Sequence, residues 1–115
     1  MLPASARLNR PDDIRATVRH GVRAGRPSLV VHALAKQTPP SRAGFVVSKQ
    51  VGGAVVRNRV KRRLRHLVAS ELAACLSPVD VVVRALPAAA TEPARLGDDL
   101  QSAWRAAVRR AAVTT

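Results

Sequence analysis

The chain has 115 residues, 47% of them apolar and 2% aromatic (Phe45 and Trp104), which excludes a disordered chain and leaves a core to be built from Val, Leu and Ala. Twenty Lys and Arg against seven Asp and Glu give a net charge of +13, the balance of a protein whose partner is a polyanion. No apolar run reaches the roughly 18 residues of a membrane span, and "MLPASARLNRPDD" lacks the apolar core of a secretory leader, so a cytoplasmic protein with no membrane role is expected.

Residues 1–10 read as an extended basic arm. "RPDDIRATVRHG" predicts a short helix: Pro11 suits its first turn, Asp12 and Asp13 favour the positive end of the helix dipole, and Gly21 suits the stop. Ile14 and Val18 share one face of it, with Arg15 and Arg19 as a basic line beside them. "GVRAGRPS" reads as a basic loop. "SLVVHALA" (28–35) predicts a strand, "KQTPPS" breaks it, and "RAGFVVSKQV" (42–51) predicts a second strand. Along that strand Phe45 and Val47 point one way, Val46 and Ser48 the other. A hairpin joining the two strands is the simplest connection. A long helix is predicted from about Ala54 to Leu76, with an apolar stripe at Val56, Val60, Leu64, Leu67 or Val68, Leu72 and Cys75 or Leu76. "DVVVRAL" (80–86) predicts a strand buried on both faces, "PAAATEP" a linker, and 94–112 a closing helix with its stripe at Leu96, Leu100, Ala103, Trp104, Ala107, Val108 and Ala111. Helix, strands, helix, strand, helix, without internal repeat, predicts one small α+β domain of αβββαβα-like order over 1–115, with 113–115 as a tail. Cys75 can close no internal disulfide and falls on an apolar stripe, so it reads as a small buried hydrophobe in a reducing compartment.

The long helix carries the densest charge of the chain. From Arg57 to Arg65 it presents Arg57, Arg59, Lys61, Arg62, Arg63 and Arg65, with Asn58 among them and no acid. A face shaped for solubility alone would interleave Glu, because like charges at i, i+4 destabilise a helix by a few tenths of a kcal/mol per pair. Arginine's planar fork suits phosphate oxygens, and Gly52-Gly53 opens backbone N–H groups at the helix N-terminus. The reading is a phosphate-binding face. RNA is favoured over DNA, because a strand follows the basic helix where a helix-turn-helix would need a partner helix, and no zinc-finger spacing or heptad zipper occurs.

Protein-borne catalysis is not expected. Asp12-Asp13 and Asp98-Asp99 are adjacent on helices, so their carboxylates diverge by about 100°, and both pairs fit first turns. His20, His32 and His66 fall in three separate elements, and Ser48 lacks His/Asp support. There is no metal-ligand cluster. Composition and pattern leave open a structural RNA-binding protein, such as a ribosomal protein, and more remotely an autonomous nuclease.

"FVVSKQVGGAVVRNRVKRRLRHLV" resembles the signature of the bacterial ribonuclease P protein family: a strand ending in S-K, a V-G-x-A-V turn and an R-N-R-x-K-R helix. "MLPASARL", "DDI", "DVVVRAL" and "LGDDLQSAWRAAVRR" resemble the family's start, first helix, last strand and closing helix. The resemblance implies an α+β fold with a left-handed βαβ crossover through the basic helix, against the usual right-handed preference. It implies a partnership with a catalytic ribonuclease P RNA that removes the 5′ leader of precursor tRNA, the RNA and its Mg²⁺ carrying the hydrolysis and the protein binding no metal alone. Ser48 and Lys49 at the strand end, and Arg57, Asn58, Arg59, Lys61, Arg62 and Arg65 on the helix, are then RNA-facing; Gly52, from the open helix N-terminus, and Arg63, from the charge pattern, complete that set. A cleft between the first helix and the sheet would grip the leader with Ile14, Val18, His32 and Phe45, flanked by Arg15 and Arg19. The family usually places aromatics at the positions of Ile14 and Val18, and often of His32, and commonly Asn at Gly53. A monomeric free protein is expected.

Overall fold

A computed structural model describes residues 2–113; Met1 of the expected arm and Thr114 and Thr115 of the expected tail lie outside the described residues. Helix α1 (Pro11–His20) begins at Pro11, holds Asp12 and Asp13 in its first turn and ends on Gly21, as its capping residues predict. Its buried face is rotated from the expected one. Thr17 is buried while Val18 is 40% exposed. The Thr17 hydroxyl donates to the Asp13 carbonyl at 2.9 Å, so this polar side chain enters the interior already satisfied.

The segment read as a basic loop contains a strand, β1 (Val22–Gly25), in an antiparallel hairpin with β2 (Leu29–Ala35). The expected hairpin between β2 and β3 (Arg42–Val46) does not form. Strand β4 (Val79–Ala85) lies between them, antiparallel to β2 and parallel to β3, and among the described residues the sheet order is β1-β2-β4-β3. The cause is in β4 itself. Val81, Val82 and Val83 are all fully buried, and a strand apolar on both faces takes the sheet centre, where both edges are paired and both faces covered. Residues 36–41, with Pro39 and Pro40, carry the chain past its end.

Helix α2 (Ala54–Ala73) connects β3 to the parallel β4. It buries Val60, Leu64, Val68 and Leu72, four apart, as predicted. It stops short of the expected end: Cys75 packs half-buried against the core while Leu76 is fully exposed. Residues 87–93, expected as a linker, form the short helix α3 (Ala88–Thr91) and the start of a 3-10 turn at Pro93–Arg95. Helix α4 (Leu96–Val113) takes in Val113 of the expected tail and buries Leu96, Leu100, Ala103, Trp104, Ala107 and Ala111. Asp99 does more than complement the dipole: buried, it accepts from the Ser28 backbone N–H (3.1 Å) and hydroxyl (2.7 Å), bolting α4 to the start of β2.

The sheet has two covered faces. Helices α2 and α4 pack on Leu29, Val31, Ala33, Val81, Val83 and Ala85, with Trp104 in the same core. Alternation puts Val30, His32 and Val82 on the other face, where α1 lies against β2 and β4. The N-terminal arm is docked along the β3 edge. Ala4–Ala6 form a 3-10 turn, Arg7 bridges Ala43, the Leu8 N–H donates to the Ala43 carbonyl at 2.9 Å, and Leu2, Ala6 and Leu8 are buried.

Candidate nucleic-acid interface

The basic helix starts from a glycine turn. Gly52 has φ +157°, and a Cβ there would meet Val56 Cγ1 at 2.8 Å, so both backbone and space require glycine. Gly53 is the N-cap of α2, in an ordinary extended conformation, with open space around it and no side-chain cap. The two glycines therefore answer mutation with opposite signs. Gly52→Ala is expected to destabilise by about 1–3 kcal/mol, and Gly53→Asn to stabilise by about a few tenths of a kcal/mol, in urea denaturation.

With its apolar stripe on the core, α2 turns Asn58, Arg59, Arg62 and Arg65 to solvent and leaves Arg57 and Lys61 half-buried. No acidic residue stands in its first turn, so the positive end of the dipole adds to the arginines. Glu71, two turns beyond Arg65, accepts from Arg105 at 3.3 Å. One predicted contact has a local role as well. Arg63 donates to the Pro93 carbonyl, tying α2 to the approach of α4. Arg57 Nε is buried and, among the described residues, without a hydrogen-bond partner.

The residues expected in one leader cleft divide among three places. Val18 meets the strand end: with Val46, Ser48, Lys49, Gln50, Val82 and Arg84 it lines a cavity of about 580 Å³ between α1 and the sheet. Ser48 and Lys49, expected with the basic helix, thus join Val18. Ile14 and Phe45 line a second cavity, of about 370 Å³, with Lys61, Arg65 and the arm residues Arg7 and Asn9. Phe45 points away from Val46 and Val82, because successive residues of β3 alternate faces. His32 is on the α1 face but only 7% exposed, and its Nε2 is buried without a hydrogen-bond partner among the described residues. Arg15 and Arg19 are exposed on α1. Sequence reasoning missed Arg84, the one charge in "VVVRAL"; its period-2 spacing from Val82 was the available signal.

Burial lowers the His32 pKa below its usual value, and the charges of Arg23 and Arg84 lower it further. A group that protonates more readily unfolded than folded contributes stability above its unfolded pKa and loses it as pH falls below that value, here about 6.5. His32→Gln is therefore expected to flatten the fall in melting temperature between about pH 7.5 and 5.5. An unchanged slope would assign the acid sensitivity elsewhere. Among the described residues no group of three or more His, Cys, Asp or Glu could hold a metal ion. The carboxylates of the cleft side are already engaged: Asp80 accepts from Lys36 and Arg42, and Asp13 from Arg42. With their oxygens engaged in this way, these carboxylates do not fit a protein-held Mg²⁺.

Fold and site define a small α+β protein that presents a cationic helix beside a half-apolar cleft, the equipment of an RNA-binding subunit. The ribonuclease P family profile matches residues 2–108. The ribonuclease P protein component of Streptomyces bikiniensis is 55% identical over 113 residues, covering 90% of this chain and 92% of that protein, and the one from Kocuria rhizophila is 50% identical, covering 97% and 100%. The fold superposes on the ribonuclease P protein of Staphylococcus aureus with a TM-score of 0.79 at 23% identity, covering 89% of this chain and 94% of that one. For the Thermotoga maritima protein the TM-score is 0.72 at 24% identity, covering 84% and 92%. The chain belongs to the ribonuclease P protein family. It is a subunit of an endoribonuclease ribonucleoprotein, and the RNA of that particle is its partner. Among the described residues no helix is long and apolar enough to cross a membrane.

Proposed function

We propose that the protein binds ribonuclease P RNA through the exposed face of α2 and takes the 5′ leader of precursor tRNA into the cavity between α1 and the ends of β3 and β4. Mg²⁺ stays mainly with the RNA, which carries the hydrolysis; the free protein is monomeric and works in the cytoplasm. The observation that carries the reading is the fixed cationic face: Arg59, Arg62 and Arg65 exposed, with no acid between Arg57 and Arg65, on a helix whose opposite side is buried. The cavity supports the rest. Val18 and Val46 offer base faces an apolar wall, with the buried Val82 behind it, and Lys49 and Arg84 offer the backbone two cations. Without aromatic rings, this cleft holds a leader by aliphatic contact and charge.

The test is reconstitution with a bacterial ribonuclease P RNA at low Mg²⁺. Added protein should speed leader removal, and holoenzyme affinity should fall when the leader is trimmed from the substrate. Cleavage that ignores the protein would overturn the reading. A protein that merely stabilised folded RNA would not distinguish the two substrates.

A further inference from the structure

Arg42, the first residue of β3, commits its whole guanidinium to carboxylates. Its Nε and Nη2 donate to the two oxygens of Asp80 at 3.0 and 2.8 Å, a fork-to-fork pair between register partners on adjacent strands. Its Nη1 reaches Asp13 of α1 at 3.5 Å. Lys36 completes the group, donating to Asp80 at 3.1 Å and to the Pro40 carbonyl at 2.9 Å. Burial alone would raise the Asp80 pKa, but hydrogen bonds from Arg42 and Lys36 and their charges outweigh it and hold the carboxyl below its usual range. Asp80 stays ionised, so the guanidinium plane is locked and Nη1 keeps one direction.

That direction matters at the first turn, because α1 is otherwise held in its second half, by the buried Thr17 and by its far end. A Cβ on Gly21 would stand 2.5 Å from both the Ala33 and Thr17 carbonyl oxygens, so the backbone leaving α1 lies directly on β2. Among the described residues Asp12, beside Asp13, pairs only with Arg15 of the same helix. Asp13 thus ties the first turn of α1 to the sheet, and Val18 stands five residues, about 7.5 Å, further along the helix.

We propose that Arg42 is a positioning residue for leader recognition: clamped by Asp80, it holds Asp13 and so sets the height of α1, and with it Val18, over the cavity. The proposal rests on the reading that this cavity takes the leader. It predicts a sign that simple electrostatics does not. Removing an acid from a protein that binds a polyanion should tighten binding. Removing Asp13 should loosen it, for leader-bearing substrate only.

Four reconstituted holoenzymes compare the affinity of leader-bearing and leaderless tRNA: Asp13→Ala, Asp13→Glu, Asp12→Ala and Val18→Ala. Asp13→Ala is expected to weaken leader-bearing substrate about two- to fivefold, the range of a partly exposed ion pair, with leaderless tRNA unchanged. Asp13→Glu should recover part of the loss, and Asp12→Ala, with the same charge change on the same turn, should bind as tightly or more tightly. If Asp13→Ala matches Asp12→Ala while Val18→Ala weakens leader-bearing substrate, the positioning role is overturned and the cleft reading stands. Equal loss on both substrates after Asp13→Ala also overturns it, since that is what a purely structural defect gives. If Val18→Ala leaves both affinities unchanged, the cleft reading fails and the positioning role falls with it.

Discussion

Replacing Arg59, Arg62 and Arg65 together with Ala is expected to weaken binding to ribonuclease P RNA about a hundredfold, at about 1 kcal/mol per exposed phosphate contact. The three side chains are exposed on one stretch of α2, whose position is held by the buried stripe behind it. Each phosphate neutralised contributes about 0.7 to 0.9 to the slope of log affinity against log salt, so the slope should flatten by about 2 to 3 units. The same substitutions should leave the free protein as stable or slightly more so. Arg62 stands three residues from both Arg59 and Arg65, Arg65 four from Lys61, and relief of like charge is worth about a few tenths of a kcal/mol per pair. Ala is also the best helix former. Binding and stability thus move in opposite directions. Filter binding between about 50 and 200 mM salt, with a thermal melt on the same sample, reads both. A loss of affinity with an unchanged slope would show that these arginines do not meet phosphate.

The basic helix was legible in the sequence because both of its signals are local. Val60, Leu64 and Val68 repeat at helical spacing, and the charges fill the remaining positions of the same segment. Sheet order was less legible. The hairpin expectation joined neighbours in sequence, and it lost to Val81–Val83, whose burial on both faces moved β4 between β2 and β3. The apolar run of β4 was visible, but its bearing on which strands pair was not. Strand β1 was hidden because only Val22 and Ala24 alternate inward, among Arg23, Gly25 and Arg26.

Polar burial was least legible. Thr17 looks like a surface residue until its hydroxyl is seen on the Asp13 carbonyl, and Asp99 looks like a dipole partner until Ser28, 71 residues away, closes on it. The cleft was half legible for a related reason. Alternation already separated Phe45 from Val46 and Ser48, but only the assembled sheet says which of those faces α1 covers. Ser48 and Lys49 therefore moved from the helix contacts to the cleft, and Phe45 moved towards Lys61 and Arg65.

Leu64→Ala should be the most damaging single change to the cationic face, although it removes no charge. Leu64 is fully buried, midway along the stripe that seats α2 on the sheet and α4. Truncation to Ala loses the transfer of three carbons from water and leaves a cavity; such changes cost about 2.7–5 kcal/mol. That is a large share of the roughly 5–15 kcal/mol that separates folded from unfolded small domains. At about 4–8 °C per kcal/mol, the melting temperature should fall by more than 10 °C. The functional consequence separates seating from contact. At a temperature where Leu64→Ala is still folded, its salt slope should match the parent's, because Arg59, Arg62 and Arg65 still meet the same phosphates. On warming, affinity should disappear along the unfolding curve. The triple arginine variant shows the reverse pattern, a flattened slope at every temperature with the melt intact. If Leu64→Ala instead flattened the slope while folded, the stripe would be shaping the phosphate contacts themselves, and the two faces of α2 could not be treated as separate parts.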